Sequence, residues 1–139
     1  MFQDCKQTAG KVEKSLLVTN DRFVADSFTS FFALQGYLLQ TCESTVAAFE
    51  FLAEQLFDLV LIDSDLTDKS HLDFCCRLRG LYPMLGLILL VDYGECPSAQ
   101  AAFTAGIDDW IEKPLGIYSI ERVIFQLLKK RQMTATAEA

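Results

Sequence analysis

Histidine is almost missing from this chain, His71 being the only one, and the five cysteines (Cys5, Cys42, Cys75, Cys76 and Cys96) form no Cys-x-x-Cys pair. The usual zinc ligand sets are therefore excluded, and an odd thiol count at these spacings reads as core and surface thiols. Positive charge is scarce as well. Twelve Lys and Arg against nineteen Asp and Glu give a net charge of −7, the wrong sign for a surface that neutralises phosphates, so no direct nucleic-acid binding is expected. Long apolar runs are lacking too. The strongest, Leu85 to Val91 (LGLILLV), falls far short of the ~20 residues of a membrane-spanning helix, so it reads as a buried strand and no membrane partner is expected. The opening MFQDCKQTAGKVEK has no basic start leading into an apolar run, so a secretory signal is not expected and a cytoplasmic location is.

What is present suits one ordinary globular domain: 139 residues, 51% hydrophobic and 22% charged, enough for a single core and too few for two. Strand-like and helix-like periodicities alternate along it. The run KSLLVT (Lys14–Thr19) predicts a strand, and Val24, Phe28, Phe31 and Phe32 recur at helical spacing up to Gly36. Tyr37–Thr41 reads as a second strand, and Ser44 as the N-cap of a helix carrying Val46, Phe49, Leu52 and Leu56. Phe57–Ile62 (FDLVLI) predicts a third strand, and Ser70 with Asp73 resembles a capping box for a helix to Tyr82, broken at Pro83. Leu87–Val91 gives a fourth strand, Ser98–Ala105 a short helix closed by Gly106, and Asp109–Glu112 a fifth strand. From Ser119, the spacing of Ile120, Val123, Ile124 and Leu127 marks a last amphipathic helix, with a frayed tail expected over residues 132–139. Five strands separated by helices imply right-handed crossovers and the doubly wound α/β class, a parallel sheet covered on both faces.

In such sheets chemistry gathers at the carboxyl ends of the strands. There the sequence offers Asn20-Asp21, Asp63-Ser64-Asp65, Asp92 and Lys113. Asp21 or Asp65 taken alone reads as a helix cap or a solvated loop residue. Taken together, the acids suit a Mg²⁺ ion held by one or two carboxylates, with Asp21 and Asp63 as the pair, and Asp63 as a carboxylate able to attack phosphorus.

These residues resemble the receiver domain of two-component response regulators, of the chemotaxis-regulator kind. The resemblance rests on an acidic loop after the first strand (LLVTND), an apolar strand ending at an acceptor Asp (FDLVLID), and Lys-Pro after the fifth strand (DDWIEKP). It covers residues 15–131, leaving residues 1–14 as an N-terminal extension. It implies a flavodoxin-like strand order of 2-1-3-4-5 and a phosphoryl group passed to Asp63 by a histidine kinase or phosphotransfer protein. The metal, Mg²⁺ or Mn²⁺ in its place, would be held by Asp21, Asp63 and the backbone carbonyl of Asp65, with Asn20 supporting it by hydrogen bonding. Lys113, usually followed by a cis bond to proline, would contact the phosphoryl group, and Trp110 would occupy the aromatic position whose rotamer reports the state. The output would pass to a downstream protein or effector domain, and a homodimer would use apolar contacts from Trp110, Ile117, Tyr118 and Ile120. No enzyme is implied beyond self-phosphorylation and self-dephosphorylation of Asp63.

Several positions depart from the pattern. Asn20 replaces one member of an acidic pair. After the fourth strand the family has a Ser or Thr hydroxyl that moves onto the phosphoryl oxygen, and this chain has Asp92. Such a hydroxyl is worth ~1.5–3 kcal/mol, whereas two like charges ~4 Å apart at an effective dielectric of ~20 repel by about 4. Asp92 is tolerable if it turns to solvent, pairs with Lys113 or keeps a proton. Tyr93 is bulkier than usual and is expected to narrow the route to Asp63, and Thr67 and His71 stand where Pro and Gly are common. A second reading is therefore a receiver-like interaction module that works without phosphorylation. A third follows from LVLIDSDLT, which also resembles the Asp-x-Asp-x-Thr motif of haloacid-dehalogenase-type phosphatases, with Asp63 as nucleophile and Asp65 as acid/base. That motif normally follows the first strand of a longer, capped chain, and here it follows the third.

Overall fold

A computed structural model describes residues 14–66 and 71–138. Among these, strands and helices alternate as β1 (Lys14–Val18), α1 (Arg22–Gln35), β2 (Leu38–Cys42), α2 (Thr45–Glu54), β3 (Leu59–Asp63), α3 (His71–Leu81), β4 (Gly86–Val91), α4 (Ala99–Ala105), β5 (Asp109–Glu112) and α5 (Ile117–Glu138). All strand pairs are parallel, in the order β2-β1-β3-β4-β5. This is the flavodoxin-like order that the resemblance implied.

The two-residue period of the strands divides the apolar side chains between two cores. Leu16, Val18, Val60, Ile62, Leu87 and Leu89 face one way, beneath Leu52 of α2, Phe74 and Leu78 of α3 and Ala102 of α4. Leu17, Leu59, Leu61, Ile88 and Leu90 face the other, beneath Phe28 and Phe32 of α1 and Val123 and Ile124 of α5. Each fully buried aliphatic or aromatic side chain contributes about 1.5–3 kcal/mol, so these two layers hold the sheet in place. The buried thiol of Cys75 belongs to the first core. Its burial pushes the pKa up to about 12, which keeps it protonated and inert, as read from the sequence.

The helix ends follow their capping chemistry. Ser44 accepts from the Ala47 N–H and Ser98 from the Ala101 N–H, and Gly36 and Gly106 close α1 and α4 in left-handed backbone (φ 75° and 78°). At Gly106 a second constraint operates, since a Cβ there would lie 2.6 Å from Cγ of Arg79.

The structure differs from the sequence reading by a residue or two at most strand ends, and more informatively at Tyr37, α5 and Ile120. Tyr37 is excluded from β2 because its N–H bonds to the Phe32 carbonyl in the closing turn of α1. Helix α5 starts at Ile117 and continues to Glu138, past the expected end at Arg131, since no glycine or proline follows Gly116 to stop it. Ile120 is only 2% exposed and belongs to the second core, so it does not supply the surface contact expected of it. The capping residue Ser70 and Thr67 lie outside the described residues.

Candidate functional site

In this strand order the connections leave β1 and β3 in opposite directions, and the crevice between them opens at the carboxyl end of the sheet. The ladders extend one residue past the strand ends there. The Thr19 N–H bonds to the Cys42 carbonyl at 3.0 Å, Ser64 N–H to Leu90 at 2.8 Å and Lys113 N–H to Val91 at 2.8 Å. The backbone that presents the site is therefore part of the sheet.

Asp63, the last residue of β3, is 0% exposed. A carboxylate without solvent must be met by donors, and three are present. Lys113 Nζ donates to Oδ1 at 2.8 Å, the Asp65 N–H donates to the same oxygen at 3.1 Å, and the Thr19 hydroxyl donates to Oδ2 at 2.6 Å. Lys113 is held just after β5, next to a cis Lys113–Pro114 bond, as the resemblance implied. Its ammonium also reaches Asp65 Oδ2 at 3.0 Å and Asp92 Oδ1 at 3.5 Å. One cation thus joins the ends of β3, β4 and β5.

The electrostatics follow from that arrangement. Burial alone would lower the Lys113 pKa, but hydrogen bonds to Asp63 and Asp65 outweigh it and hold the ammonium above the ordinary lysine value. The same Lys113 bond holds Asp65 below the usual carboxylate range, against a smaller opposing effect of burial. Asp92 is half exposed and paired with Lys113, which is one of the arrangements open to it from sequence. Tyr93 is 81% exposed, in the loop that follows β4. Trp110 is half-buried against the first core.

The acidic loop after β1 is arranged differently from the expectation. In the β1–β3 register Val18 faces Ile62, so the residue abreast of Asp63 is Thr19, not Asn20 or Asp21. The Asp21 carboxylate accepts from the Phe23 and Val24 N–H groups at 2.8 and 3.4 Å and is the N-cap of α1. Those N–H groups have no partner within the helix, which is why a carboxylate two and three residues before them turns to the helix end. Among the described residues no three His, Cys, Asp or Glu side chains are grouped so as to hold a metal ion. Asp63 and Asp65 are brought together through Lys113, whereas the Asp21 carboxylate is engaged at the start of α1 and Asn20 is an exposed loop residue.

Two contributors were missed in the sequence. Thr19 was read as the end of a strand, and its place abreast of Asp63 is set by the β1–β3 register, which no local pattern marks. Glu112 accepts from the Gly94 N–H at 2.6 Å and so ties the loop after β4 to β5. No spacing in the sequence marks that bond.

Comparison with known proteins agrees with this fold. Residues 16–125 match the family model described as response regulator receiver domain. The chain is 27% identical over 132 residues to the alginate biosynthesis transcriptional regulatory protein AlgB of Pseudomonas aeruginosa, covering 95% of this chain and 29% of that protein. It is 25% identical over 124 residues to the response regulator MprA of Mycobacterium tuberculosis, covering 89% of this chain and 54% of MprA. The chain thus spans from under a third to about half of the length of these relatives. The crystal structure of a CheY-like receiver domain protein from Methanospirillum hungatei superposes with a TM-score of 0.80 at 20% identity, over 89% of this chain and 99% of that one.

Proposed function

This chain belongs to the response regulator receiver domain family of two-component signalling, and from that membership we propose that Asp63 is its phosphoacceptor and Lys113 the group that steadies the phosphoryl oxygens. The observation that carries the reading is the 2.8 Å contact between Lys113 Nζ and a fully buried Asp63 at the carboxyl end of the sheet. A carboxylate oxygen of Asp63 forms the new bond to phosphorus while the bond from phosphorus to the donor's leaving group breaks. The Lys113 ammonium neutralises charge on the transferring oxygens.

Receiver domains are signalling modules and generally bind Mg²⁺ at the phosphorylation site. The donors here do not fit such an ion, because a neutral hydroxyl stands abreast of Asp63 and the Asp21 carboxylate caps α1.

Response regulators interact with histidine kinases and effector domains. For this chain the donor is a histidine kinase or phosphotransfer protein, and the receiver of the signal is a downstream protein, an effector domain or a second copy of the chain. Asp92 and Trp110 are the positions whose rearrangement passes the state outward. A net charge of −7 argues against direct nucleic-acid contact by this domain, and no helix among the described residues is long and apolar enough to cross a membrane.

A small-molecule phosphodonor followed by intact-mass measurement tests the reading. The expected result is a gain of one phosphoryl group in the wild type and none in Asp63→Asn. A folded wild type with no gain would favour the second reading, a module that works without phosphorylation. The Asp92–Lys113 pair at 3.5 Å supports that second reading, since a carboxylate already holds part of the cation that phosphoryl oxygens need.

A further inference from the structure

We infer that the Asp63 carboxylate is satisfied by protein donors in place of a divalent cation, and that the exchange resides in Thr19 and Asn20. This rests on the reading of Asp63 as the acceptor position. An ionised carboxylate offers about four lone-pair sites, and on Asp63 the Thr19 hydroxyl, the Asp65 N–H and Lys113 Nζ take three of them. The Thr19 hydroxyl is itself engaged twice, donating to Asp63 and accepting from the Asp21 N–H at 3.0 Å.

Mg²⁺ requires a near-octahedral shell of oxygens and is usually recruited by one or two carboxylates beyond its waters. The two residues that follow β1 on the Asp63 side are a hydroxyl and an amide, Thr19 and Asn20, and bring no charge. The nearest acid, Asp21, is oriented by the first turn of α1, and the Asp65 carboxylate is bound to Lys113. Placing a dication beside the Lys113 ammonium is unfavourable, because like charges repel and the Asp63, Asp65 and Asp92 carboxylates are already turned to that ammonium. An uncharged Thr19-Asn20 pair beside Asp63 and a site without a divalent cation are therefore mutually consistent. Thr19 acts here as a positioning residue, fixing the Asp63 carboxylate from the side opposite Lys113.

Mn²⁺, read by electron paramagnetic resonance of the free ion, and Mg²⁺, read by amide shifts, are titrated through the millimolar range into the wild type, Asn20→Asp and Thr19→Asp/Asn20→Asp, with no phosphodonor present. The wild type is expected to show no saturable binding and the double variant to gain it, with shifts centred on Asp63. Saturable wild-type binding that is lost in Asp63→Asn would overturn the inference. So would a folded double variant that binds no better than the wild type. Should the double variant not fold, the single Asn20→Asp change at an exposed position carries the same test, with a weaker gain expected. Because no phosphodonor is used, failure here is distinguishable from failure of Asp63 to accept a phosphoryl group, which the mass measurement reads with and without chelator.

Discussion

The Asp92 carboxylate stands 3.5 Å from the Lys113 ammonium, on the same cation that lies 2.8 Å from Asp63. The residue ending the β4 side of the site therefore competes for the charge that a phosphoryl group on Asp63 would need.

Replacing Asp92 with Thr removes that competition. The repulsion between Asp92 and a phosphoryl oxygen is discounted because Asp92 is half exposed, leaving about 1 kcal/mol, close to the value for unit charges in water. Phosphoryl occupancy of Asp63 at a fixed donor concentration is expected to rise roughly fivefold, since about 1 kcal/mol is a factor of that size. Intact mass after equal exposure to donor is the measurement, and an occupancy unchanged or lower in Asp92→Thr would contradict it.

The site also predicts a dependence of stability on pH. Lys113 is raised in the fold, so folding binds its proton more tightly than the unfolded chain does. That stabilisation is complete below the unfolded lysine value of about 10.4 and is lost as pH rises through the folded one. Asp65 is lowered, so its contribution is present above about 3.9 and lost as pH falls through its folded value, shallowly because the side chain is half exposed. Thermal melts should show a falling midpoint on the alkaline side, flattened in Lys113→Met. Equal alkaline slopes in the two proteins would show that Lys113 is not the source.

Arg79 carries the structural counterpart of the Lys113 cluster at the other end of the sheet. Its guanidinium donates to the carbonyls of Gly106, Pro83 and Leu85 and pairs with Asp108 at 3.0 Å, while Asp108 also accepts from the Leu87 N–H. A planar fork of five donors suits this spread of acceptors and a lysine does not. Arg79→Lys is expected to cost about 2 kcal/mol and Arg79→Ala about 3, since carbonyls lose charged partners. Urea unfolding midpoints measure both, and a Lys variant as stable as the wild type would refute the assignment.

Ser15 is buried in β1, and its hydroxyl has no hydrogen-bond partner among the described residues. Alternation places it on the face of Leu17, toward the core under α1 and α5. Ser15→Ala removes an unsatisfied oxygen at little loss of volume and is expected to stabilise the domain by about 1 kcal/mol. Denaturant midpoints would expose the error if the change proved destabilising.

Much of this architecture was legible because the deciding interactions are local. Ser44 and Ser98 cap the helices they precede, Gly36 and Gly106 close them, and the runs ending at Ile62 and Val91 have no solvent-facing side to interrupt them. The loop after β1 was legible only in part, because Asp21 faces two competing demands. A charge beside Asp63 and a cap for α1 need the same residue type, and the free N–H groups of Phe23 and Val24 decide between them. Register across β1 and β3, which brings Thr19 to Asp63, is a relation between residues 44 apart in the chain. The burial of Ile120 was legible from its spacing with Val123, Ile124 and Leu127, which form one apolar stripe, and the surface contact expected of it conflicted with that stripe.

The bond from the Gly94 N–H to Glu112 has a mechanical meaning. Glu112 is the last residue of β5 and immediately precedes Lys113, while Gly94, at φ 81°, sits two residues past Asp92 in the loop leading to α4. The tie is a brace between the two segments that meet at the Lys113 ammonium, one carrying Asp92 and the other the lysine itself. Because the brace lies apart from the Lys113–Asp63 contact, it joins the two segments without occupying either oxygen of Asp63.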